Sequence, residues 1–283
     1  MAWLEEQTGN FVSSDGTRIF YRRWVPQKAR FQLVVSHGLR EHSGRYGHVV
    51  DALGPLGASF WILDHRGHGD SQGKRGHVND FNDYVGDLKR LVSMAAADGG
   101  ADFPTLLLGH SMGGLIALSF ARQYPRDMDG LIISSPLLGV NPLPSLLLRA
   151  MARLLSIVWP SLSLGNKLDP ALISHDADQV AAYMQDERVH AAISARWFVQ
   201  CLAEIHRTGN AASGIRTPVL MQIAGDDRLV DPKASLAYYA AMTVSDKTLC
   251  HYETLYHEVY NETPPEREQV LDDLRDWISE RFL

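Results

Sequence analysis

The chain has 283 residues, 45% hydrophobic and 21% charged, with 27 basic against 33 acidic side chains and a formal net charge of −6. A chain this long buries most of its apolar surface without a disulfide or metal staple, and its composition is too apolar for a disordered polypeptide. No Lys/Arg-rich run rises above the background, which excludes the electrostatic footprint of a nucleic-acid binder.

In chain order, the N-terminus carries Glu5 and Glu6 where a secretory signal needs positive charge and then an apolar run. No stretch offers the roughly 20 uninterrupted apolar residues of a membrane span. The two cysteines, Cys201 and Cys250, fall in no C-x-x-C pattern, so neither a disulfide framework nor a cysteine zinc site is expected. A soluble, cytoplasmic protein follows as the expectation.

Short apolar runs at 18–24, 32–36, 59–63, 105–108, 131–134, 219–223 and 248–252 read as strands, several of them unbroken Val/Ile/Leu. Helical stripes lie between them. The clearest is Phe81, Tyr84, Val85, Leu88, Leu91, Val92 and Ala95, and the last is Val270, Leu271, Leu274, Trp277 and Ile278, placed to dock on the sheet and close the fold. This alternation predicts an α/β fold with a mostly parallel, doubly wound sheet.

The rhythm breaks at about residue 136. From there to 214 no convincing strand is visible, and the segment opens on a Pro-rich stretch over 135–144. We read 1–135 and 215–283 as the core and 136–214 as a helical cap inserted into it. Residues 145–159 are almost wholly apolar, with Arg149 and Arg153 one turn apart as the main polar face. Two readings stay open: a cap helix packed on the core, or a lid whose apolar side lies on lipid, since about 15 residues can rest on a bilayer but not cross it.

Gly109-His110-Ser111-Met112-Gly113 matches G-x-S-x-G, with an apolar run before it and a helical pattern after it. A strand turning sharply into a helix at a strained serine leaves no room for side chains two residues either side, so glycine is required there. Ser111 is the expected nucleophile. It needs a base and the base an orienting acid, in the order Ser, Asp/Glu, His. The run 219–223 ends in a loop with Asp226, Asp227 and Asp231, and 248–252 ends in a loop with His257. His257 is the expected base. Asp231 before Pro232 reads as a helix N-cap, while spacing does not separate Asp226 from Asp227. The backbone N–H groups of Met112 and of Leu39, in the His37-Gly38 turn, are the expected oxyanion donors.

These residues, with the stretches His37–Tyr46 and Asp64–Ser71, Asp227-Arg228-Leu229 and Tyr256–Val259, resemble the monoacylglycerol lipases, the bacterial monoglyceride lipases and related lysophospholipases of the α/β-hydrolase superfamily. The resemblance covers nearly the whole chain, and His37–Tyr46 is its most specific part. It implies a serine hydrolase that cleaves monoacylglycerols to fatty acid and glycerol through an acyl-enzyme, with no cofactor or metal and no nucleic-acid partner. It selects Asp227 as the triad acid and places Glu41, Arg45 and His257 near a polar glycerol pocket, with Tyr183 at the glycerol end. The lid reading of residues 145–159, rather than the resemblance, brings with it transient contact of the cap with a membrane surface, and the oligomeric state stays open. For Glu41 and Arg45 a buried ion pair shaping the oxyanion loop is the competing role, and for Asp64–Ser71 a structural turn. A departure from the pattern is Arg40, where relatives often carry glycine. Two other functions fit the same residues: a general carboxylesterase or lysophospholipase, and a catalytically silent binding protein of the same fold.

Overall fold

A computed structural model describes residues 4–100, 103–140, 144–165 and 169–283. The strands are β1 (Leu4–Val12), β2 (Arg18–Pro26), β3 (Phe31–Ser36), β4 (Ala58–Leu63), β5 (Thr105–His110), β6 (Gly130–Ser134), β7 (Ser163–Gly165), β8 (Ala192–Ser194), β9 (Val219–Ala224) and β10 (Lys247–Tyr252). The helices are α1 (Gly47–Leu53), α2 (Asn82–Gly99), α3 (Met112–Gln123), α4 (Leu146–Val158), α5 (Ala177–Gln185), α6 (Ala195–Gly209), α7 (Pro232–Ala241) and α8 (Pro264–Phe282).

Eight strands form one sheet in the order β1-β2-β4-β3-β5-β6-β9-β10. β1 and β2 pair antiparallel, as do β2 and β4, and every other neighbouring pair is parallel. The parallel strands β3, β4, β5, β6 and β9 are buried at every residue, which is why they read as continuous apolar runs. One face of the sheet packs Tyr84, Leu88, Leu91 and Val92 of α2 with Leu115, Ile116 and Phe120 of α3. The other packs Val49, Val50 and Leu53 of α1 with Val270, Leu274, Trp277 and Ile278 of α8, so the last helix closes the fold as its stripe predicts.

β1 is absent from the sequence reading. Glu5, Glu6, Gln7 and Thr8 are exposed, so no apolar alternation marks the strand; its place comes from pairing with β2, in register from Leu4↔Pro26 to Val12↔Arg18. The segment 136–214 joins β6 to β9, which are sheet neighbours, and its described residues hold α4, α5 and α6. It also contains β7 and β8, a three-residue antiparallel pair where no strand was expected; pieces this short carry no readable period. Residues 141–143 of the Pro-rich stretch lie outside the described residues.

α6 seats this segment on the core. Its Trp197 and Cys201 are buried with the α2–α3 face, and Glu204, fully buried, accepts from the Ser119 hydroxyl of α3 at 2.7 Å. α4 is seated only by Ala152 and Ser156, while Leu146, Leu147, Met151, Leu154, Ile157 and Val158 are exposed. Among the described residues no helix is long and apolar enough to cross a membrane.

Candidate active site

Ser36 at the end of β3 lies beside Gly109 of β5, and His110 lies beside Ser134 of β6. This register brings the loops after β3, β5 and β6 together at the carboxyl edge of the sheet, where open α/β sheets place their ligands. The chain reverses at Ser111, whose backbone (φ 54°, ψ −118°) is one that side-chain-bearing residues rarely adopt. The Ser111 N–H donates to the Ser134 carbonyl at 3.0 Å and its own carbonyl accepts from Leu137 at 3.0 Å, so the strained residue is held from both sides. A Cβ at Gly113 would strike the Ser36 carbonyl oxygen, and one at Gly109 would lie 2.6 Å from Ala117 Cβ. The glycines of the motif are therefore a steric requirement of α3 starting against the end of β3.

Asp227 and His257 come from the loops after β9 and β10. Asp227 Oδ1 accepts the N–H groups of Leu229 (2.8 Å) and Val230 (3.0 Å), and Oδ2 accepts from His257 Nδ1 at 2.6 Å. This separates the two adjacent aspartates: Asp226 is tied to the exposed Arg228 side chain instead. Asp231 caps α7 by accepting from the Lys233 N–H at 3.0 Å, the structural role its sequence position predicts. Burial pushes the Asp227 carboxyl upward, but the His257 ring and the two amides outweigh it and hold it below the usual value. For His257, burial pushes downward and is outweighed by the charge and hydrogen bond of Asp227, with help from Glu258 and Glu41, so its pKa lies above the usual 6.5. With Nδ1–H given to Asp227, Nε2 is left free to act as a base. Ser111 and His257 line one cavity, and the Ser111 hydroxyl makes no hydrogen bond among the described residues; in unliganded hydrolases this bond commonly tightens only around substrate.

The loop after β3 packs onto the nucleophile, with Gly38 beside the Ser111 side chain. His37 fixes its shape: Nε2 accepts the His65 N–H at 2.9 Å, so Nδ1 carries the proton and donates to the Gly38 carbonyl at 2.7 Å. Glu41 Oε1 accepts the Gly38 N–H and, at 3.0 Å, the Tyr46 hydroxyl. The N–H groups of Leu39 and Met112 have no acceptor among the described residues. Leu39 lines the cavity, and Met112 is the first residue of α3, where the helix dipole adds positive potential.

Arg45 forks onto Glu258, Nη1 to Oε1 at 2.6 Å and Nη2 to Oε2 at 2.8 Å, and reaches Glu41 only at 3.4 Å. The expected Glu41–Arg45 pair exists but is the weaker arm. Arg45 stands behind the main cavity, in a small side pocket shared with Glu41, Tyr46 and Glu258. Burial, then the charge of Glu258, push the Glu41 carboxyl up to about 7 against the pull of Arg45. Tyr183 of α5 is buried, its ring beneath the Arg45 guanidinium at 4.8 Å. Asp64 closes the turn 64–71 by accepting from the Ser43 N–H and the Asp70 N–H, both at 2.7 Å, in line with a structural role for that stretch.

The cavity holds about 320 Å³. Its polar lining includes Arg40, Glu41, Tyr183 and Glu258, and its apolar lining includes Leu137 and Ile193 with Trp197, Phe198, Leu202 and Ile205 of α6. Two residues beside the triad, Glu258 and His110, have no role assigned from the sequence. Glu258 left as its only signal its place directly after the histidine. His110 packs against the His257 ring with centroids 4.8 Å apart, and burial, reinforced by His257, holds it neutral with a pKa lowered to about 3. Among the described residues no group of three His, Cys, Asp or Glu side chains is arranged to hold a metal.

The pattern of the family described as serine aminopeptidase, S33, matches residues 27–264. The monoacylglycerol lipase of Mycolicibacterium smegmatis is 36% identical over 271 residues, covering 95% of each chain. The crystal structure of Paleococcus ferrophilus monoacylglycerol lipase superposes with a TM-score of 0.83 at 30% identity, over 98% of this chain and 99% of that one. A soluble variant of Saccharomyces cerevisiae monoglyceride lipase, solved with a substrate analog, gives a TM-score of 0.85 at 25% identity, over 100% and 97%.

Proposed function

The chain belongs to the monoacylglycerol lipase family of α/β-hydrolases, and from that membership we propose that it cleaves monoacylglycerols to fatty acid and glycerol, with Ser111, His257 and Asp227 as its triad. The observation that carries the reading is a cavity passing Ser111 that is apolar along α6 and polar at Glu41 and Tyr183, a match to one acyl chain and one small hydroxylated head group. The same serine chemistry could open an amide. An aminopeptidase, however, needs a buried unpaired carboxylate for the substrate ammonium, and here Glu41 and Glu258 share Arg45 while Asp169 is exposed and caps the turn 170–172.

His257 Nε2 takes the Ser111 proton as the hydroxyl oxygen attacks the ester carbonyl. The oxyanion that forms is received by the N–H groups of Leu39 and Met112, each worth on the order of 10²–10³ in rate. Protonated His257, stabilised by Asp227, then gives its proton to the departing glycerol oxygen. Water, deprotonated in turn by His257, releases the fatty acid and restores Ser111. Glu41, Tyr183 and, from behind, Arg45 shape the glycerol end. Residues 136–214 act as a cap, and the exposed apolar face of α4 rests transiently on the lipid surface that supplies the substrate.

The test is fatty-acid release from monooleoylglycerol, with dioleoylglycerol and lysophosphatidylcholine in parallel and Ser111→Ala as control. Selectivity for the monoglyceride, lost in the variant, is expected. Equal or faster turnover of the other two lipids would overturn the assignment while leaving an ester hydrolase.

A further inference from the structure

Arg40 takes no part in the acyl transfer described above, yet its position is costly in two ways. It follows the Leu39 amide with φ 64°, a backbone conformation easy for glycine and strained for a side chain. It is also only 7% exposed and lines the cavity beside Gly38, Leu39, Glu41 and Tyr183. Its Nε donates to the His190 carbonyl at 3.1 Å, and its guanidinium stands 5.8 Å from the centre of the Tyr183 ring. Among the described residues its two Nη groups have no acceptor and no carboxylate lies within ion-pair distance. A buried cation without a counter-ion is unfavourable unless something else supplies the negative charge.

The neighbouring charges leave that role open. Glu258 is matched by the two-pronged Arg45, Glu41 shares the same guanidinium and is pushed up to about 7, and Asp169 is exposed at the rim. Burial, foremost, holds His110 near 3 and His190 near 4, so both are neutral. The uncompensated charge at the head-group end is the guanidinium of Arg40.

We propose that Arg40 is a head-group specificity residue, its two free Nη groups receiving a phosphate monoester on the glycerol, so that the enzyme also hydrolyses acylglycerol phosphates. The planar fork matches a phosphate in two hydrogen bonds, and it repels the quaternary ammonium of a choline lipid. The idea rests on the ester-hydrolase reading above. Water is the one co-reactant: the acyl C–O bond breaks, glycerol phosphate leaves with the proton from His257, and the hydroxyl of water ends on the acyl carbon.

The experiment measures kcat and KM on 1-oleoylglycerol and on 1-oleoylglycerol 3-phosphate for the wild type, Arg40→Gly and Arg40→Lys. Glycine suits the backbone at this position, so Arg40→Gly is expected to melt no lower than the wild type. The wild type should turn over both lipids. In Arg40→Gly the kcat/KM ratio of phosphate to neutral lipid should fall roughly 10- to 100-fold, mainly through KM, with Arg40→Lys in between. Glycerol 3-phosphate should compete with the phosphate lipid, and inorganic phosphate much more weakly. An unchanged ratio, equal competition by inorganic phosphate, or relief of oleate inhibition in Arg40→Gly with the ratio unchanged would each overturn the proposal. Turnover of the neutral lipid alone by the wild type would overturn it and leave the ester-hydrolase reading intact, whereas turnover of neither by folded protein would remove that reading itself.

Discussion

On the proposed mechanism His257 sets the pH dependence of the reaction, and two opposing forces set His257. Burial favours the neutral ring, and the Asp227 carboxylate at 2.6 Å favours the protonated one and prevails. The base works only when neutral, so the rate should be low in acid and rise with pH through a pKa above 6.5. In Asp227→Asn the raising charge is gone, so the limb should move to lower pH while kcat drops on the order of 10⁴-fold. A pH profile of kcat/KM on a soluble short-chain ester checks this; an unmoved limb in the variant would mean that another group titrates. At this scale the sequence was readable wherever chemistry imposes local spacing. Ser111 stands between required glycines and His257 follows a strand end. Asp226 and Asp227 were indistinguishable because the difference is which of two adjacent side chains turns inward, a matter settled by the Leu229 and Val230 amides.

Among the elements, the contact between α3 and the end of β3 is the tightest determinant of the site. A methyl group at Gly113 would meet the Ser36 and His37 carbonyl oxygens, both backbone and unable to yield. Gly113→Ala should therefore cost about 3 kcal/mol or more and lower activity. Gly86→Ala, on the exposed side of α2 with nothing near its Cβ, should instead be neutral or stabilise by about 0.5–1 kcal/mol. Urea unfolding midpoints of the two variants test the contrast. All seven strands expected from the sequence are present, with ends shifted by at most two residues; five of them, β3, β4, β5, β6 and β9, are legible because a strand buried on both faces is apolar throughout, whereas β2 and β10 are only half-buried. β1 is not legible because its exposed polar residues show no apolar alternation and it is held by hairpin pairing with β2, and β7 and β8 because three residues carry no period; pairing leaves no mark on composition.

For the molecule as a whole, the unresolved question of the sequence was what the apolar run 145–159 faces, since periodicity reports that a helix has an apolar side but not what meets it. Leu146, Leu147, Ile157, Val158 and Trp159 are all at least 60% exposed, far more apolar surface than scattered single residues leave. Replacing Leu147 and Ile157 together by Asp should lower co-sedimentation with phospholipid vesicles and turnover of vesicle-borne monooleoylglycerol several-fold. Hydrolysis of a water-soluble ester should be spared; equal loss on both substrates would mean that α4 supports the fold instead. The ion pair of Arg45 and Glu258 has its own consequence at this scale, because it spans 213 positions of the chain. The proposed base and acid, His257 and Asp227, likewise lie far downstream of Ser111. On the proposed mechanism, a ribosome-bound chain has its nucleophile and oxyanion loop long before residue 258 is made, yet neither should be able to act. By the same mechanism, a copy cut anywhere between residues 112 and 256 keeps its serine and lacks the means to use it on the lipids around it.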